Sequence, residues 1–157
     1  MTKVFLDLED TIIDTWDSGR LRNVLRIKGW LDNQADPVEE LRIFSFAIWN
    51  DAHKDHFDTF MRKGIEEALE RPIVEWLSVE EMATMAQART GLNWTQGIID
   101  TMDFMQIMGK DGAFKEVCLF RERDGNCTLI DDAIPHQMIV DYDLNLCINL
   151  LPIQNIR

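Results

Sequence analysis

Asp7, Glu9, Asp10 and Thr11 put four oxygen-bearing side chains directly after the apolar run Val4-Phe5-Leu6. A second acidic pair, Asp131-Asp132, directly follows another apolar run, Leu129-Ile130, over a hundred residues further on. Clustered carboxylates repel one another unless a proton or a cation stands between them. Oxygen-only ligands suit a hard divalent ion, Mg2+ before others. A lysine beside such a group would offset its charge and hold a phosphate. The plain structural alternative for either cluster alone is a buried strand ending in an Asp-rich turn.

These residues meet only if the runs that precede them are strands of one sheet. An apolar run of this length before a polar turn reads as a buried parallel strand. The carboxyl ends of parallel strands share one edge, where an open α/β sheet places its ligand. The rest of the chain supplies the elements. Ile12 to Trp16 reads as a short extended flap, and Arg20 to Leu31 as an amphipathic helix whose Arg20, Arg22, Arg26 and Lys28 form the most basic surface. That surface reads as a solvated face, or else as a contact for an acidic partner.

A second strand is expected over Leu41 to Ile48, a helix over Ala52 to Glu70, and a third strand over Ile73 to Leu77. Ser78 with Glu81 fits a capping box for a helix that stops at Gly91. Asn93 to Gly109 is dense in Met and Ile, reading as core or lid packing, or as a partner surface. Another helix follows from Lys110 to about Arg121, then a strand over Cys127 to Ile130. Pro135 fits the first turn of a helix reaching Asp141, and Leu144 to Leu151 is a last strand. Alternating strands and helices predict an α/β fold, a three-layer, Rossmann-like parallel sheet.

The chain has 157 residues, read as one domain over 1–157, and its apolar fraction of 46% is ample for a core. A net charge of −12, from 28 acidic and 16 basic residues, opposes general binding to nucleic acid or to an anionic membrane. It leaves room for one phosphate pocket and suits a basic protein partner. No run approaches membrane-spanning length, and no signal-peptide pattern opens the chain. Cys118, Cys127 and Cys147 read as buried free thiols, which fits a cytoplasmic location. His53 and His56, with Asp51 and Asp55, form the one other cluster of metal-ligand types. Without a third ligand at motif spacing they read as a solvated first helical turn.

The segment FLDLEDT resembles the first motif of the haloacid dehalogenase (HAD) superfamily, hhhDxDxT, with Glu9 in place of the second Asp. LIDD resembles the fourth motif. The resemblance covers nearly the whole chain in outline and implies a HAD-like domain without a large cap. It implies Asp7 as the nucleophile of a Mg2+-dependent phosphohydrolase, forming an aspartyl-phosphate intermediate. Glu9 would be the acid/base, and its backbone carbonyl would bind Mg2+ beside the Asp7 carboxylate. Asp131 and Asp132 would complete the metal shell. Lys110, in GKDGAFKE, is the first choice for the third-motif lysine and Lys115 the alternative, although both also read as exposed helix lysines.

The second motif is a hydroxyl at the end of the second strand, commonly followed by Asn. IFSFAIWND places Trp49 there and Asn50 after it, while Ser45 lies four residues earlier, deep in the expected strand. Thr11, orienting the turn, and Asn50, as an amide donor, are therefore the candidate substrate-binding residues. The extra methylene of Glu9 shifts its carboxyl by roughly an ångström from the Asp position, and misplacement of that order costs about a hundredfold in rate. Losing the second-motif donor costs roughly 3 kcal/mol of transition-state binding. The capless branch implies a bulky phosphate monoester: a polynucleotide end, a nucleotide or a phosphoprotein. The rival reading is a weak or inactive pseudoenzyme serving as a protein-interaction module. A receiver-like domain is less consistent, because its acidic pair comes early and its phosphoacceptor mid-chain.

Overall fold

The computed structural model describes residues 2–94 and 98–157, with the backbone alone at 98–100. Among these residues six strands form one sheet: β1 (Thr2–Leu6), β2 (Leu41–Phe44), β3 (Ile73–Leu77), β4 (Gly125–Asp131), β5 (Gln137–Asp141) and β6 (Leu146–Pro152). Five helices accompany them: α1 (Val24–Asp32), α2 (Asp51–Phe60), α3 (Arg62–Leu69), α4 (Val79–Thr90) and α5 (Ile98–Arg121). The strand order is β3-β2-β1-β4-β6-β5, and every pairing is parallel except that of β5 with β6.

Side-chain alternation along β1 explains the layers. Val4 and Leu6 point into one core, which they share with Ile27 and Leu31 of α1, Phe57 of α2, and Ile65 and Leu69 of α3. Phe5 points into the other, with Met82, Ala83 and Ala86 of α4 and Phe114 and Val117 of α5. A central parallel strand buried on both faces carries no polar alternation, which is why VFL is uniformly apolar. The chain runs from β1 outward to β2 and β3, then crosses back to β4 on the other side of β1. The switch point of the sheet thus lies between β1 and β4.

Several expected boundaries move. The expected helix from Pro135 to Asp141 is instead β5, antiparallel to β6. Met138, Ile139 and Val140 favour a strand, and the turn after them is pinned by Leu144 N–H donating to Asp141 Oδ1 at 2.9 Å, with Asn145 left-handed at φ 51°. The sheet is therefore mostly rather than wholly parallel.

The expected helix Ala52 to Glu70 is two, α2 and α3, because Met61 leaves helical geometry at φ −122°. The bend lets Phe57 and Ile65 enter the same core. Helix α1 starts at Val24, not Arg20. Leu21 bridges Ile13, Arg22 N–H donates to Ile12 O, and Asn23 is left-handed. Residues 20–23 thus belong to the flap.

The basic side chains of this region pair with the chain's own acids and carbonyls, while Arg20 stays exposed. Arg22 pairs with Asp10 at 3.1 Å, Lys28 with Asp32 and Glu70, and Arg26 donates to the carbonyls of Ile153 and Ile156. The capping box of Ser78 and Glu81 is present. In the Met-rich stretch from Asn93 to Gly109, residues 95–97 lie outside the described residues, and Phe104 is buried against Trp94. Cys118 and Cys127 are buried free thiols, and Cys147 is half-buried. Among the described residues no helix is long and apolar enough to cross a membrane.

Candidate active site

Asp7 is the first residue past β1, and its backbone N–H donates to Ile130 O at 3.0 Å, extending the β1–β4 ladder by one step. Leu6 pairs with Ile130, so Asp7 and Asp131 emerge side by side at the switch point. Both are nearly inaccessible, at 4% and 1% exposure. After Asp7 the chain coils tightly: Leu8 O accepts from the N–H groups of Thr11, Ile12 and Ile13, and Asp10 takes a left-handed conformation at φ 60°. This coil returns Thr11 towards Asp7. Its hydroxyl donates to Asp7 Oδ2 at 3.1 Å and lies 3.5 Å from Asp132 Oδ1. Asn23 Nδ2 donates to Thr11 O at 2.8 Å and ties the coil to the start of α1.

Lys110 reaches the site because α5 is broken at Gly109, where φ is 67° and ψ 172°. Its Nζ donates to Asp7 Oδ1 at 2.7 Å and to Asp131 Oδ2 at 2.8 Å, and stands 5.2 Å from the ring centre of Phe46. Asp131 Oδ1 accepts from Ala133 N–H at 2.8 Å. Carboxylate oxygens of Asp7, Asp131 and Asp132 all lie within 4.8 Å of one another.

The electrostatics follow from burial. Burial above all raises the Asp7 carboxyl, Lys110 opposes the rise and Asp131 adds to it, and the carboxyl ends at about 7. Burial also acts against the Lys110 ammonium, but Asp7 and Asp131 outweigh it, and the lysine titrates above its ordinary range. Asp132 is raised, first by burial and then by Asp131. The lysine is one cation among three acids, so the group is short of positive charge. An oxygen-only donor set with that deficit fits a hard divalent ion.

Of the residues singled out in the sequence, the fold brings Asp7, Thr11, Lys110, Asp131 and Asp132 together. Lys115 is not the residue that meets Asp7; it lies more than a turn further along α5. Glu9 sits on the same coil, with its Oε2 accepting from Trp16 N–H at 2.9 Å.

Asn50 is the N-cap of α2, its Oδ1 accepting from His53 N–H at 3.1 Å. Neither it nor Trp49 stands at the end of the second strand, because β2 ends at Phe44 and not at Ile48. The residue at the carboxyl end of β2 is Ser45, 1% exposed, one strand away from Asp7. Its oxygen accepts from Ala47 N–H at 3.1 Å, which leaves the hydroxyl proton as a donor. Sequence reasoning misses Ser45 because the apolar run continues through Phe46 and Ile48. The available signal is length: a five-residue β1 calls for a partner ending near Ser45. His53 Nδ1 accepts from Trp49 N–H, and His56 packs between Trp16 and Phe60.

Comparison with protein family models, with curated proteins and with solved structures found no match to this chain.

Proposed function

We propose that this protein is a HAD-like phosphohydrolase that cleaves a phosphate monoester through an aspartyl-phosphate on Asp7. The observation that carries the reading is the convergence of Asp7, Asp131 and Asp132 at the sheet's switch point, with Lys110 bridging Asp7 and Asp131. Asp7, Asp131 and Asp132 would hold Mg2+, together with the backbone carbonyl of Glu9. Bound there, the ion supplies charge neutralisation for a phosphoryl group and lowers the proton affinity of the carboxylates.

The chain's own groups account for the remaining chemistry. A carboxylate oxygen of Asp7 attacks phosphorus while the bond from phosphorus to the ester oxygen breaks. Glu9, in its acid form, gives a proton to the departing oxygen. Its carboxylate then takes a proton from water, which attacks the aspartyl-phosphate and releases inorganic phosphate and free Asp7. Lys110 and the Ser45 hydroxyl hold the phosphoryl oxygens, and Thr11 orients the Asp7 carboxylate. The test is Mg2+-dependent hydrolysis of p-nitrophenyl phosphate and of a 3′-phosphorylated oligonucleotide by wild type and Asp7→Asn. Activity that survives Asp7→Asn overturns the assignment.

The pseudoenzyme reading is favoured by one observation: the Glu9 carboxylate is already engaged as the anchor of the flap. A folded, Mg2+-binding wild type that hydrolyses neither substrate decides for that reading.

A further inference from the structure

Strand β5 is a sheet edge without the usual protection. It pairs with β6 along its whole length, without a bulge, and its other side meets no strand among the described residues. Natural edge strands carry lysine, proline, bulges or inward charges that block further pairing. The sequence of β5, QMIVD, has neither lysine nor proline, and its single charge stands at the last position. Met138, Val140 and Tyr142 follow at alternate positions and are 67%, 48% and 89% exposed. Met138 stands opposite Asn149 and Val140 opposite Cys147, so this row shares one face of the sheet with them. That face is open. A groove of about 350 Å³ runs over it, bounded by Trp30, Gln34, His136, Met138 and Asn149. In a doubly wound sheet a helix would connect β4 to β6 and cover such a face; here β5 makes the connection instead.

We propose that β5 is a self-association surface, where two copies pair their β5 strands antiparallel about a two-fold axis through Ile139. The two six-stranded sheets then become one. An antiparallel edge is self-complementary by symmetry, because each residue pair occurs twice. About this axis Ile139 faces the partner's Ile139, and Met138 faces the partner's Val140. Exposed apolar surface is covered by its like on the same face.

Side-chain matching along the strand fits a second copy in this register. The net charge of −12 opposes most approaches of one copy to another, so the contact has to keep acids apart. Here the only acid of β5, Asp141, faces the partner's Gln137, whose amide donates to it. Tyr142 faces the partner's His136 at the mouth of the groove. Centring the pair on Asp141 instead would set two carboxylates against each other. The proposal does not depend on the reading of the acidic site, and it leaves the two Asp7 sites opening on opposite edges of the joined sheet.

The test is sedimentation velocity on the full chain across the micromolar range. A concentration-dependent dimer is expected. Val140→Lys should yield a monomer whose circular dichroism and unfolding match those of the wild-type monomer. Gln137→Glu sets an acid opposite Asp141 twice over, and should weaken the dimer by roughly tenfold. Gln137→Lys should strengthen it. Hydrogen exchange should show the outward amides of β5 slowing with concentration in wild type and not in Val140→Lys. A wild type that stays monomeric, a dimer that survives Val140→Lys, or one indifferent to Gln137→Glu overturns the proposal.

Discussion

The Glu9 carboxylate accepts a hydrogen bond at 2.9 Å from the backbone N–H of Trp16. The Trp16 ring in turn packs on His56, 5.0 Å between centres, so Glu9 fastens the flap to the coil that carries Asp7. A Gln at this position keeps the acceptor and loses the proton. Glu9→Gln should therefore leave the melting temperature near wild type while turnover falls by roughly 10²–10⁴, the range for losing general acid–base catalysis. Parallel measurement of thermal unfolding and p-nitrophenyl phosphate turnover checks both halves. A large fall in melting temperature would assign Glu9 to the flap alone.

Ser45 and Asn50 make opposite expectations. Ser45→Ala removes a buried hydroxyl at the carboxyl edge of β2 and should lower kcat by roughly 10²-fold, the low end for one transition-state donor. Asn50→Ala removes the cap of α2 and should cost about 1 kcal/mol of stability with turnover unchanged. Urea unfolding and steady-state kinetics on the two variants separate the roles; the reverse pattern would restore Asn50 to the site.

Lys110 is the only cation bonded to Asp7 and Asp131 among the described residues. Removing one member of a buried ion pair costs roughly 3–5 kcal/mol, because the partner charge is left behind. Lys110→Met should show a loss of that order at pH 8 without metal. The loss should shrink at pH 5, where Asp7 takes up a proton, and should shrink also in millimolar Mg2+. Denaturant midpoints at the two pH values report it, and a pH-independent loss would contradict it.

Asp7 also sets the sign of the pH dependence. Its ordinary value is 3.8, and burial lifts it to about 7 in the fold. Between those values the folded protein holds a proton that the unfolded chain has released. The stabilisation is complete below 3.8 and is lost as pH rises through 7. Mg2+ must displace that proton, so its effect on the melting temperature should be small at pH 5 and large at pH 8. Asp131→Asn should blunt the gain. Equal shifts at both pH values, or none, would remove the metal from the site.

The acidic half of the site is legible in the sequence because a parallel strand buried on both faces is uniformly apolar, and Asp7 and Asp131 interrupt that apolarity where the strands end. Lys110 is legible because Gly109 marks the break that starts its helix. Ser45 is hidden, since the turn after β2 contains no glycine or proline and buries Ile48 as a strand would. The identity of β5 is hidden for a related reason: Pro135 signals a helix start locally, while the pairing with β6 that makes residues 137–141 a strand is set by tertiary context. The two roles of Glu9 cannot be separated from sequence, because its bond to Trp16 depends on how the flap folds back.

Gly109 has a backbone conformation that other residues rarely adopt, and a Cβ there would meet Asp111 Oδ1 at 2.9 Å. Because the helix axis is interrupted at this residue, the placement of Lys110 depends on the helical segment beyond it, where Phe114 and Val117 are anchored in the core. The stretch before the joint is held separately, by Phe104 packed against Trp94. One glycine thereby lets the two halves of α5 run in different directions, each set by its own core contacts.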